Sequence, residues 1–164
     1  MQKTVLNLIQ QQIIEQTEAC MAKASEHFDR QFLMPTIKFN QRGKIAGSAR
    51  LQLNELRFNP VLMQDNMDHF LSDVVPHEIC HLLAFQLFGR VRPHGKEWQA
   101  LMVQVYSLKP STYHGMDVTK VAGKKFAYRC LCGPVGLSIR RHNKVVRKVQ
   151  QYRCIKCGNQ LVAA

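Results

Sequence analysis

The chain has 164 residues, 46% of them hydrophobic and 21% charged, which excludes a disordered or fibrous protein and fits one globular domain with a small appendage. Its longest apolar runs, such as Leu82-Leu83-Ala84-Phe85, are far short of the roughly 20 residues that span a bilayer. The first residues run into Gln10-Gln11-Gln12 without the apolar core of a secretion signal, so a cytoplasmic protein with no membrane role is expected, and its net charge of +12 points to an anionic partner.

The first thirty residues predict a helix. Val5, Leu8, Ile9, Ile13, Cys20 and Phe28 fall near one stripe, and Pro35 stops it. Residues 36–40 and 49–54 alternate like strands on either side of a Gly43 turn. They are expected to pair as an antiparallel hairpin, extended by Leu56-Arg57-Phe58 and ended by Asn59-Pro60. Helical spacing returns from Asn66 to Phe88, where Phe70, Val74, His77, His81, Ala84 and Phe88 share one face. Pro76 is read as a kink within one long helix, because Met67, Phe70, Leu71 and Val74 already keep the phase, and Gly89 ends it. Trp98, Leu101, Met102 and Val105 predict a further helix over 95–107. Residues 108–124 are turn-rich and read as a linker. Beyond it, 126–129, 135–141 and 145–152 read as short strands between cysteines.

His77-Glu78-Ile79-Cys80-His81 has the form H-E-x-x-H. On a helix, residues i and i+4 share a face, so both imidazoles reach one zinc ion. Glu78 is rotated by about 100° from His77 and can reach a water on that metal without being a ligand. This divides the work of zinc hydrolysis: the metal acidifies the water and Glu78 takes its proton. A catalytic zinc has three protein ligands and an open position. His94, between Pro93 and Gly95, is the preferred third ligand, with Glu97 as the competitor. His27, His69 and His114 have no partner at ligand spacing and read as surface or loop residues, and Trp98 as core.

The tail differs from the body. Residues 118–164 hold 11 Lys and Arg with no Asp or Glu, against 12 cations and 11 acids in residues 1–117. Cys130-x-Cys132 and Cys154-x-x-Cys157-Gly158 have the layout of a zinc ribbon, in which a second, structural zinc replaces a core too small to fold alone. His142 could substitute for one thiolate, since the C-x-C pair is tight. Cys20 and Cys80 stand apart and read as small buried residues. Arg140, Arg141, Lys144, Arg147 and Lys148, with Tyr128 and Tyr152 nearby, suit phosphate contacts and base stacking without sequence preference.

Taken together, these segments resemble the SprT-like zinc metalloproteins over nearly the whole chain. The resemblance rests on Ile37-x-Phe39-Asn40-x-Arg42 with Gly47, Leu53-Asn54, Val75-Pro76-His77-Glu78, Pro93-His94-Gly95-Lys96-Glu97-Trp98 and Tyr152-Arg153-Cys154-x-x-Cys157. It implies that His77, His81 and His94 bind a catalytic zinc and that Glu78 is the base. A metazoan branch of the family removes proteins crosslinked to DNA, which implies DNA-associated protein substrates. The expected fold is α+β: helices with a small antiparallel sheet as a zincin-like metalloprotease core over residues 1–117, then a basic β zinc ribbon over 118–164. The expected activity is zinc-dependent peptide hydrolysis with the ribbon on nucleic acid, most simply DNA. The rival is a non-catalytic, zinc-containing DNA-binding module.

Overall fold

The computed structural model describes residues 2–112, 115–116 and 118–164, with side chains from Asn7 onward. Two compact units divide it, one ending at Val121 and the other running from Ala122 to Ala164. The fold is mixed α/β, with two small sheets. No helix among the described residues is long and apolar enough to cross a membrane.

Helix α1 (Gln2–Phe28) buries Ile13, Thr17, Cys20, Met21 and Ala24, a face that advances by three or four residues. Leu8, expected on that stripe, is 63% exposed, and Val5 lies outside the described side chains. The helix ends well before Pro35, where Asp29 takes a left-handed conformation and the Arg30 N–H closes onto the Ser25 carbonyl at 3.0 Å.

Strands β1 (Thr36–Lys38), β2 (Gly47–Arg50) and β3 (Glu55–Phe58) form a sheet in the order β1-β3-β2. The expected hairpin of the first two strands is therefore wrong. β1 pairs with β3 in parallel, and β2 pairs with β3 antiparallel. A 3-10 turn at Leu51–Leu53 and a left-handed Asn54 reverse the chain, so Leu56-Arg57-Phe58 returns as a separate strand. That strand takes the centre because Leu56 and Phe58 are fully buried. Asn54 fixes β1 beside it: its Nδ2 donates to the Leu33 and Met34 carbonyls, and its own carbonyl accepts the Thr36 N–H.

Asn59 caps α2 (Pro60–Asp65), accepting the Val61 and Leu62 N–H groups, while its Nδ2 holds the Gly43 and Ile45 carbonyls. A continuous helical run then spans α3 (Met67–His69), a π-helical turn (Phe70–Val74) and α4 (Val75–Phe88). The π turn ends two residues before Pro76, which lies in the first turn of α4, and such a widened turn is a place where a helical run accommodates a missing N–H. Gly89, at φ 72°, ends α4. Helix α5 (Lys96–Gln104) buries Trp98, Leu101 and Met102 against α4. The segment read as a linker belongs in part to this unit, since Leu108, Met116, Val118 and Val121 pack on its core and Lys120 pairs with Asp65.

The second unit holds β4 (Lys125–Cys130), β5 (Gly133–Ser138), α6 (Ile139–Val146) and β6 (Val162–Ala163), with sheet order β5-β4-β6, all antiparallel. Its buried residues are Tyr128, Leu137, Cys154 and Leu161. Of the strands expected over 135–141 and 145–152, only 135–138 form one, as part of β5; 139–146 are α6, and 147–152 are turn and irregular chain. His142 and Val145 lie three apart, so a helix brings both half-buried side chains onto the small core.

Candidate metal centres

Helix α4 carries His77 and His81 one turn apart, and the chain after Gly89 brings His94 back to them. The three Nε2 atoms lie 3.3 Å (His77–His81), 3.1 Å (His81–His94) and 3.0 Å (His94–His77) apart. A tetrahedral zinc with Zn–N of about 2.0–2.1 Å separates its nitrogens by about 3.3–3.4 Å. The imidazoles therefore fit such an ion with little movement. Burial lowers the pKa values of His81 and His94, that of His81 to about 4 with the neighbouring His94 adding to the effect, which favours the neutral form of these two rings that ligates a metal. Among the described residues this cluster comprises three imidazoles, and Glu97 is outside it. His94 adopts φ 55°, a left-handed conformation, and its carbonyl accepts from Gln99 Nε2 at 3.0 Å.

A cavity of about 560 Å³ opens on this cluster, lined by His77, His81 and His94 together with Glu78 and the strand Gly47-Ser48-Ala49. Glu78 is 5% exposed. Burial pushes its carboxyl up to about 8, and the Ala49 N–H, which donates to it, pulls the other way. A divalent cation at the imidazoles would favour the ionised form. Gly47 makes room for this carboxyl. A Cβ there would stand 2.9 Å from Glu78 Cγ, 3.2 Å from its Oε1 and 3.1 Å from Val74 Cγ1. Gly47→Ala is expected to destabilise the first unit by about 1–3 kcal/mol through overpacking, with zinc at the imidazoles retained. Denaturant unfolding and metal content measure the two effects.

Sequence reasoning marked Gly47 only through the family resemblance, and nothing local marked Ala49, whose contribution is a backbone N–H. Thr112, Met116 and Val118 also line the cavity, although their segment reads as a linker. His27 is exposed, and His69 is half-buried beside Asp73 at 3.2 Å. His114 lies outside the described residues. Cys20 and Cys80 are buried, and burial raises both thiols, Cys20 to about 11.

In the second unit Cys130, Cys132, Cys154 and Cys157 converge, their sulfurs all within 4.8 Å of one another. Cys130–Cys132 is 3.1 Å and Cys132–Cys154 is 3.5 Å, against about 3.7–3.8 Å for thiolates around zinc. Backbone N–H groups prepare the second knuckle for ionisation. The Asn159 N–H lowers Cys157 to about 6, and those of Cys157 and Lys156 lower Cys154. Gly158, at φ 71°, closes the turn. Cys132 is pushed up to about 12, first by its hydrogen bond to Cys130, a proton that a central cation would replace. His142 is not in this cluster. Its ring stacks on Phe126 at 3.8 Å, and its Nδ1 lies 3.0 Å from the Tyr128 hydroxyl.

The basic residues are brought together by a helix rather than a hairpin. Arg140, Arg141 and Lys144 lie on α6 and Arg147 and Lys148 just beyond it, all exposed. Tyr128 is buried and unavailable for base stacking, whereas Tyr152 is half-buried with the Arg141 guanidinium 5.4 Å from its ring centre.

The family model described as the SprT-like family matches residues 17–114, and the SprT-like zinc ribbon domain matches residues 124–164. Protein SprT of Shewanella oneidensis is 51% identical over 156 residues, covering 95% of this chain and 100% of that protein. Protein SprT of Vibrio parahaemolyticus is 51% identical over 142 residues, 87% of this chain and 86% of that one. Protein SprT of Klebsiella pneumoniae is 44% identical over 155 residues, with 94% and 93% covered. No solved structure matches the chain. With both matched regions containing the residues that converge on the two clusters, the chain belongs to the SprT-like family.

Proposed function

We propose that the chain is a cytoplasmic zinc metallopeptidase with a zincin-like core, acting on proteins bound or crosslinked to DNA. In this reading residues 1–117 cleave and residues 118–164 hold nucleic acid. The observation that carries it is Glu78, a buried acid facing the same cavity as the three imidazoles yet outside their cluster. A purely structural site would need a fourth protein ligand and has no use for this carboxyl. The arrangement therefore favours the enzyme over a non-catalytic DNA-binding module.

His77, His81 and His94 would hold the zinc, which would supply Lewis acidity toward a carbonyl and toward water. Glu78 serves as the base that takes the proton from attacking water and as the acid that returns it to the leaving amine. The Ala49 N–H orients that carboxyl, and Gly47 leaves the space for it. Strand β2 offers the substrate a template. The Ala46 carbonyl accepts from the Asn59 N–H at 2.8 Å, so alternation along the strand turns the backbone groups of Gly47 and Ala49 away from β3. With Ala49 N–H on Glu78, the Gly47 N–H and the two carbonyls face a chain that would pair there by strand addition.

Nucleic-acid binding is supported by the charge of residues 118–164 and by α6, whose helical spacing puts Arg140 and Lys144 one turn apart beside Arg141, with Arg147 and Lys148 exposed just beyond its end. The test uses zinc-loaded full chain and a DNA-binding protein, with and without DNA, at graded salt. Cleavage is expected only with metal and to rise with DNA. Each phosphate contact adds about 0.7–0.9 to the slope of log affinity against log salt. Replacing Arg140 and Arg141 with Ala should lower that slope by about 1–2 and reduce DNA-stimulated cleavage, with zinc content unchanged. A slope near zero in the intact protein removes nucleic acid from the proposal. Absence of metal-dependent cleavage on any substrate removes the peptidase.

A further inference from the structure

Trp98 is the single tryptophan of the sequence, is 1% exposed, and lies in the first turn of α5. It touches every imidazole of the cluster. Its ring centre is 4.7 Å from that of His77 at 64°, 4.7 Å from that of His94 at 88°, and 5.6 Å from that of His81, stacked at 25°. Its Nε1–H donates to the His77 carbonyl at 3.2 Å. Trp98 does not line the cavity, so it meets the imidazoles from the protein side while their Nε2 atoms are offered to the open side.

Three imidazoles whose nitrogens converge to 3.0–3.3 Å have no reason to stay there by themselves. Each has side-chain torsions that must be fixed for its Nε2 to point at a shared ion, and the left-handed backbone at His94 is a strained state that persists only where surrounding contacts hold it. A rigid indole with three rings packed on it fixes those torsions before any metal arrives. Pre-organisation of this kind raises affinity by reducing the ordering needed on binding. We propose that Trp98 is the positioning residue of the zinc site, holding His77, His81 and His94 in ligand geometry from beneath. Its role is exerted through the ligands and not on substrate.

This inference rests on reading the three histidines as a zinc site, and the wild type tests that reading separately. The full chain and its Trp98→Phe variant are titrated with zinc against a competing chelator, and metal-free unfolding is followed in parallel. The expected result is that the equivalent held by the histidines is weakened about 10–100-fold, the range for loss of a partner that orients a metal ligand, while the cysteine-held equivalent is unchanged. A residue that only fills core would lower metal-free stability and leave zinc affinity as in wild type. That result overturns the proposal.

A second measurement keeps Trp98 in place. Tryptophan emission should be quenched by one equivalent of cobalt(II), and His94→Ala should abolish the quenching. Cobalt bound at the histidines without quenching also overturns the proposal, so it stays testable even if Trp98→Phe fails to fold. If wild type binds no metal at the histidines, the zinc-site reading fails and this inference falls with it.

Discussion

Glu78→Gln is expected to keep zinc at His77, His81 and His94 while slowing peptide hydrolysis by about a hundred- to ten-thousand-fold, the usual contribution of a general base. The amide matches the carboxyl in size, so it fits the space that Gly47 leaves. It cannot accept a proton from water. Metal content and cleavage of a DNA-bound test protein measure the two effects, and a variant as active as wild type would exclude Glu78 as the base.

The same substitution has a signature in the metal-free protein. The Glu78 carboxyl titrates near 4.5 when unfolded and about 8 when folded. Between those values the folded state holds a proton that the unfolded state has lost, so stability falls as pH rises, by at most about 1.4 kcal/mol per unit. His81 acts in the opposite direction below 6.5, because it is held neutral in the fold down to about 4 while the unfolded imidazole protonates. The net decline should therefore appear between 6.5 and 8 and be absent in Glu78→Gln. Thermal unfolding of the first unit in chelator, across that range, is the measurement.

Cys154→Ser is expected to have the largest structural effect. Cys154 is 7% exposed, belongs to the four-residue core of the second unit, and offers one of its four sulfurs. A unit with so few buried side chains depends on its metal, which in comparable small zinc domains contributes about 10–16 kcal/mol of apparent binding free energy. One zinc should be lost, residues 122–164 should become protease-sensitive, and the first unit should keep the zinc at its histidines. The loss in DNA affinity should exceed that of the Arg140 and Arg141 double substitution, because a whole helix of cations is dispersed instead of two charges. A ribbon that stays folded with a single serine in place of this thiol would show that the metal is not its organising element.

The sites were more legible than the fold around them because their chemistry is local. His77 and His81 are placed by helical spacing alone, and Cys154, Cys157 and Gly158 by the geometry of one turn. His94 needed more than spacing, since a left-handed residue between Pro93 and Gly95 aims it, and only convergence with the other two excluded Glu97 from the cluster. The strand order failed for the opposite reason. β1 and β2 alternate as strands do, but their partner was decided by which segment could bury two large side chains, Leu56 and Phe58, and by Asn54 holding carbonyls some twenty residues away. The basic segment failed similarly. A short strand and a short helix of this composition differ little in propensity, and packing of His142 and Val145 on a small core decided between them.

The amino-acid sequence by itself determined the division of charge, and it marked the His77–His81 pair, the Cys154–Cys157 pair, the candidate base Glu78 and the long helix through Pro76, because each of these depends on spacings within a turn or two of chain. Only the tertiary structure decided what surrounds them: the cavity, the Ala49 N–H on Glu78, the space at Gly47 and the indole of Trp98 beneath three imidazoles. Those contacts join residues far apart in sequence through backbone groups, an absent side chain and one ring face. None leaves a local pattern, since a packed interior selects partners by shape and not by separation along the chain.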